Sequence, residues 1–125
     1  MILIDAANVI GSRPTGWWKD RPGAARAFIT QVRSAVREGS LAEPVVVVLE
    51  GKFRHGVEPG VAEGVTVVHA PRGGDDKLVS VITESTSPVT LVTADRELGR
   101  RAEASGAAVV RPGWLIDLLD DRNGG

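Results

Sequence analysis

Residues Met1 to Gly11 read Met-Ile-Leu-Ile-Asp-Ala-Ala-Asn-Val-Ile-Gly. Large apolar residues in unbroken succession fit a strand buried on both faces, the pattern of a parallel sheet covered by helices. Asp5 ends that run, and Asn8 follows in what reads as a turn. An ionised carboxylate beside a packed core is costly unless it is paired, hydrogen-bonded or bound to metal. A capping or turn role is the ordinary explanation. A metal or catalytic role is the sharper one, because open α/β sheets place their ligands at the carboxyl ends of their strands.

The same punctuation recurs along the chain. A polar connection containing Arg13, Trp17, Trp18, Lys19 and Arg21 leads to a helix expected over about 22–38, with Ala25, Phe28, Ile29, Val32 and Val36 at spacings of three and four and Gly39 as its stop. Residues 44–49 form a second buried strand that ends at Glu50. The segment 52–64 has no sustained period and reads as an irregular loop with room for one helical turn. Residues 65–70 form strand three, and Pro71-Arg72-Gly73-Gly74 breaks it. Asp75 and Asp76 then open a helix to about Thr86. Strand four, 88–93, stops at Ala94-Asp95, and a short helix covers 96–105. Strand five is 107–110. A last helix covers 112–120, with Leu115, Leu118 and Leu119 on one side and Trp114 expected to cover the sheet.

Strands that alternate with helices or long crossovers imply a parallel sheet of about five strands with helices on both faces. At 125 residues the chain suits one domain, 1–125. Its 42% hydrophobic and 25% charged content is that of a globular protein, and no apolar run is long enough to span a membrane. With no cysteine, thiolate chemistry and zinc-thiolate sites are excluded, so any metal would take oxygen ligands, and a cytoplasmic location is expected. A net charge of −1 gives no general attraction to polyanions, which leaves local patches.

In a parallel sheet Asp5, Glu50, Asp75, Asp76 and Asp95 share one edge. Carboxylates about 4 Å apart repel by roughly 4 kcal/mol per pair at an effective dielectric near 20. A hard divalent cation, Mg2+ or Mn2+, relieves that repulsion and brings water that can be aimed at a phosphate ester. Taken singly, the helix-opening acids, Asp95 as an N-cap and Glu50 as a solvated strand end all have ordinary readings. Around them stand Arg13, Lys19, Lys52, Arg54, Arg72 and Arg96, a basic rim suited to a polyanion backbone, and Trp17 and Trp18 offer faces for unpaired bases, unless they pack down to order their loop. His69, within strand three, reads as a core histidine. Other phosphate chemistries fail on missing parts. There is no Gly-x-Gly-x-x-Gly after strand one, no Gly-Lys-Ser/Thr, and no second aspartate two residues after Asp5. A receiver domain would need a lysine after strand five, where this chain has Arg111-Pro112.

Four motifs in order, Ile4-Asp5-Ala6-Ala7-Asn8, Val48-Leu49-Glu50-Gly51, Gly74-Asp75-Asp76 and Val92-Thr93-Ala94-Asp95-Arg96, resemble the NYN-domain branch of the PIN-like ribonucleases. The resemblance spans essentially the whole chain. It implies a three-layer α/β/α sandwich and Mg2+- or Mn2+-dependent hydrolysis of RNA. By position, Asp5, Asp75 and Asp95 match the metal-binding aspartates, Asn8 the asparagine after the first of them, and Thr93 the hydroxyl residue that orients the last. Glu50 stands where aspartate is usual, Ala6-Ala7 replaces the commoner Gly-Tyr, and Asp76 is the alternative to Asp75 as a ligand. The expectation is an endoribonuclease acting on single-stranded RNA. The contrasting class is a non-catalytic RNA- or partner-binding module on the same fold. A second copy of the chain, and a protein inhibitor if the chain is a toxin, are the protein partners to consider.

Overall fold

The structure, a computed structural model, describes residues 1–124. A six-stranded sheet runs through its centre: β1 (Ile2–Asp5), β2 (Val45–Leu49), β3 (Gly60–Ala62), β4 (Val65–His69), β5 (Thr90–Val92) and β6 (Ala108–Val110), in the order β3-β4-β2-β1-β5-β6. All pairings are parallel except β3 with β4. The parallel five-stranded core follows from the buried β-branched runs. The short antiparallel β3 lies inside the segment read as an irregular loop; its residues are all exposed, so no apolar alternation marks it.

Five helices cover the sheet: α1 (Ala6–Gly11), α2 (Arg21–Arg37), α3 (Gly74–Glu84), α4 (Arg96–Ala104) and α5 (Pro112–Gly124). Strand periodicity divides the core. Ile4, Val45, Val47 and Leu49 point to the face carrying α1, α2 and α5, where Val9, Phe28, Ile29, Val32, Leu115 and Leu119 pack. Leu3, Val46, Val48 and Leu91 point to α3 and α4 and meet Leu78, Ile82, Leu98 and Ala102. Both faces are therefore apolar, which is why the strands read as continuous hydrophobic runs. Each fully buried side chain of this size contributes about 1.5–3 kcal/mol. The result is a three-layer α/β/α sandwich.

Two local expectations are revised. The residues after Asp5 are helical, not a turn: α1 follows β1 directly because Ala6, Val9 and Ile10 fall on one buried side of it. Trp114 does not cover the sheet. It is 43% exposed, and Leu115 and Leu119 take that role.

The chain moves outward from β1 through β2 to β4, then returns to the other side of β1 for β5 and β6. The direction of winding reverses between β1 and β5, and the crevice outside the carboxyl ends of the strands at such a point is where open α/β sheets bind ligands.

Candidate active site

Asp5 is the last residue of β1 and stands at that crevice, only 8% exposed. Ile4 pairs with Val92, so the next residues of the two strands, Asp5 and Thr93, fall level with each other. The buried Thr93 hydroxyl donates to Asp5 Oδ2 at 3.0 Å and accepts the Asp95 backbone N–H at 3.1 Å. One side chain thus ties the two aspartates together across the crevice. Asp95 Oδ1 in turn accepts the Leu98 N–H at 3.1 Å and caps α4, so the ordinary reading of Asp95 holds alongside any other. Asn8 in α1 accepts the Ala94 N–H at 2.8 Å through Oδ1 and pins the β5–α4 connection against α1.

Glu50 reaches across from the end of β2 and accepts the backbone N–H of Gly74 at the start of α3. A Cβ on residue 74 would lie 2.9 Å from Glu50 Oε2, so a glycine is needed for this approach. The contact fixes the first turn of α3 and thereby Asp75. Gly73-Gly74 directly before two acids was the sequence signal for this link, although its partner, 24 residues away, was not legible.

The four acids influence one another. Burial raises Asp5 from 3.8 to about 6; Thr93 and the Asn8 backbone oppose the rise, and Glu50 and Asp75 add to it. Asp75 is also raised, first by burial, then by Asp95 and Glu50, with Arg101 opposing. Asp76 turns away. Its carboxylate pairs with Arg101 at 2.9 Å and its side chain is 93% exposed, so of the two helix-opening acids it is Asp75 that belongs to the cluster.

The donors present suit a hard cation: they are carboxylate oxygens only, and Glu50 and Asp95 each engage one oxygen in a backbone hydrogen bond and keep the other. Among the described residues no three His, Cys, Asp or Glu side chains stand close enough together to enclose an ion as they lie. The arrangement is a mutually repelling rim and not a closed shell.

The cations divide. Lys52 and Arg54 lie on the 3-10 turn Gly51–Gly56 directly after β2, Arg72 lies between β4 and α3, and Arg96 opens α4, all at the carboxyl edge of the sheet. Arg54 is partly used, since its Nε donates to the Gly51 carbonyl at 3.0 Å. Arg13 is not brought to the site: it bonds Asp120 of α5 at 2.5 Å and Gln31 of α2 at 3.4 Å. Trp17 packs inward, with its ring 6.1 Å from that of Phe53 and the Arg21 guanidinium 5.4 Å from its centroid. Trp18 meets Trp17 edge-on at 5.8 Å and remains 53% exposed, and Lys19 beside it is exposed. His69 bonds the Val57 carbonyl at 2.7 Å, a structural role. No helix among the described residues is long and apolar enough to cross a membrane.

No family model and no curated protein matches this chain. Among solved structures it is similar to Rae1 (YacP) from Bacillus subtilis. One crystal structure, of a point mutant, superposes with a TM-score of 0.71 at 16% identity over 98% of this chain and 76% of that one. A second crystal structure of Rae1 (YacP) gives 0.68 at 16% identity over 99% and 75%. At this identity the likeness is one of fold, an α/β architecture shared over nearly the whole chain.

Proposed function

We propose that this protein is an endoribonuclease that hydrolyses phosphodiester bonds of single-stranded RNA with the help of Mg2+ or Mn2+. The observation that carries the reading is the coupling of Asp5, Glu50, Asp75 and Asp95 across the winding reversal, with Asp5 buried and raised to about 6. A fold does not maintain mutually repelling carboxylates at its ligand-binding edge for stability, since their repulsion opposes folding. Asp5, Asp75 and Asp95 would hold the ion, with Glu50 beside them. When bound, such an ion supplies Lewis acidity and an activated water.

The chain's own residues do the rest. Thr93 orients Asp5 and Asp95 at once, and Asn8 holds the β5–α4 connection so that Asp95 keeps its place. The Glu50 contact with Gly74 sets where Asp75 stands. Lys52, Arg54, Arg72 and Arg96 hold phosphates, and exposed Trp18 stacks on a base.

A binding-only module is the second reading, favoured by the acids' not forming a ready ligand shell. Labelled single-stranded RNA incubated with Mn2+, Mg2+ or EDTA separates the two. The expected result is cleavage with either ion, none in EDTA, and none by Asp5→Asn or Asp95→Asn. Binding by the wild type without cleavage under every condition, or undiminished cleavage by either variant, refutes the nuclease reading.

A further inference from the structure

Beyond Asp95, on the side of the sheet edge, the candidate site continues into a cleft. It encloses about 510 Å³ between the β5–α4 connection, α4 and the end of β6, and it includes Thr93 and Asp95 themselves, so it is continuous with the acids. Three arginines line it: Arg96 at the start of α4, Arg100 one turn on, and Arg111 immediately after β6. Arg96 and Arg111 are exposed and make no ion pair among the described residues. Arg100 pairs with Glu97 at 2.5 Å, but both side chains are about 70% exposed, and a pair in that setting is readily exchanged for another anion. The adjacent Arg101 faces the opposite way, toward Asp76, so α4 sends consecutive arginines to two sides. Glu103 is the one acid of the lining besides Asp95.

Three guanidinium groups, two on α4 and one after β6, opening directly from a carboxylate cluster, suit an extended polyanion and not a compact one. We propose that this cleft carries the backbone of single-stranded RNA away from the acids, with Arg96 and Arg111 each contacting a phosphate and Arg100 exchanging Glu97 for a third. The inference rests on the nuclease reading for its substrate but not for its test. Guanidinium groups match phosphate geometry, and contacts of this kind position the strand without reading its bases. Glu103 opposes the path, and its charge limits the affinity of this stretch.

Binding of a short fluorescent single-stranded RNA is measured by anisotropy in EDTA over a salt series, so that cleavage plays no part. Each phosphate contact on a single strand contributes about 0.7 to the slope of log affinity against log salt, so Arg96→Ala with Arg111→Ala lowers the slope by about 1.4. Glu103→Gln tightens binding. Arg37→Ala is the control for net charge, because Arg37 pairs with Glu63 at the amino end of β4 and lies outside the cleft; its slope equals that of the wild type. The inference is overturned if the double variant keeps the wild-type slope, if Arg37→Ala loses as much, or if the wild type binds no RNA. Loss of slope in the double variant with a wild type that never cleaves leaves the cleft assigned and removes only the nuclease reading.

Discussion

Replacing Asp5 by asparagine tests the carboxylate cluster without any substrate. Burial, together with Glu50 and Asp75, moves the Asp5 carboxyl from 3.8 to about 6 in the folded protein. Because the folded value is the higher one, the native state holds a proton that the unfolded chain releases between those limits. Stability therefore falls as pH rises through that window, and the loss is complete above about 6. At about 1.36 kcal/mol per unit, the ionised carboxylate costs the native state on the order of 3 kcal/mol. Roughly 2.5 kcal/mol of this accrues between pH 4 and pH 8. Asparagine keeps the shape and an oxygen for the Thr93 hydroxyl to donate to, and it does not titrate. Its amide adds buried donors, which cost about 1–3 kcal/mol if unpartnered, but that cost is the same at every pH. Urea unfolding of both proteins in EDTA at pH 4 and pH 8 isolates the titration. The difference between variant and wild type should move by about 2.5 kcal/mol in favour of the variant as pH rises. A difference that stays constant, or moves the other way, refutes the argument that Asp5 is a strained, desolvated acid.

Asp75→Asn should melt at or above the wild-type temperature in EDTA, since its carboxyl is raised by burial, Asp95 and Glu50, and below it with Mn2+, where an ion at about 100 times its dissociation constant adds roughly 2.7 kcal/mol to the wild type alone. Melting curves that shift equally with and without Mn2+ would leave Asp75 as a helix-terminus acid only. Thr93→Val removes the hydroxyl that donates to Asp5 and accepts from the Asp95 N–H; it should cost about 1–3 kcal/mol in urea unfolding and push the Asp5 carboxyl higher still, read by NMR titration. An unaltered Asp5 titration would deny Thr93 its orienting role. Gly74→Ala puts a Cβ 2.9 Å from Glu50 Oε2 and should dislodge Glu50. It is expected to reduce Mn2+ affinity by calorimetry, with circular dichroism unchanged, while Gly73→Ala, which meets nothing within 4 Å, should leave affinity intact.

The amino-acid sequence by itself determined the five parallel strands, the helices α2 to α5 and hence the parallel sheet, because two-sided burial imposes unbroken apolar runs such as Val45–Leu49 and helical burial imposes spacings of three and four. It also determined that Asp5, Glu50, Asp75 and Asp95 share an edge, since every parallel strand ends on the same side. Period and burial are local properties, so a chain read residue by residue reveals them. The tertiary structure alone decided what each of those acids meets. Strand order put Asp5 beside Thr93, 88 residues away, and made the crevice between β1 and β5 the candidate site. It bound Glu50 to the Gly74 backbone, turned Asp76 out to Arg101, and spent Arg13 on Asp120 across 107 residues. It packed Trp17 against Phe53 while leaving Trp114 in solvent, and it added β3, whose exposed residues are held to the sheet by backbone pairing with β4. Such partnerships depend on register and on the direction of winding, and neither is written in the spacing of residues along one segment.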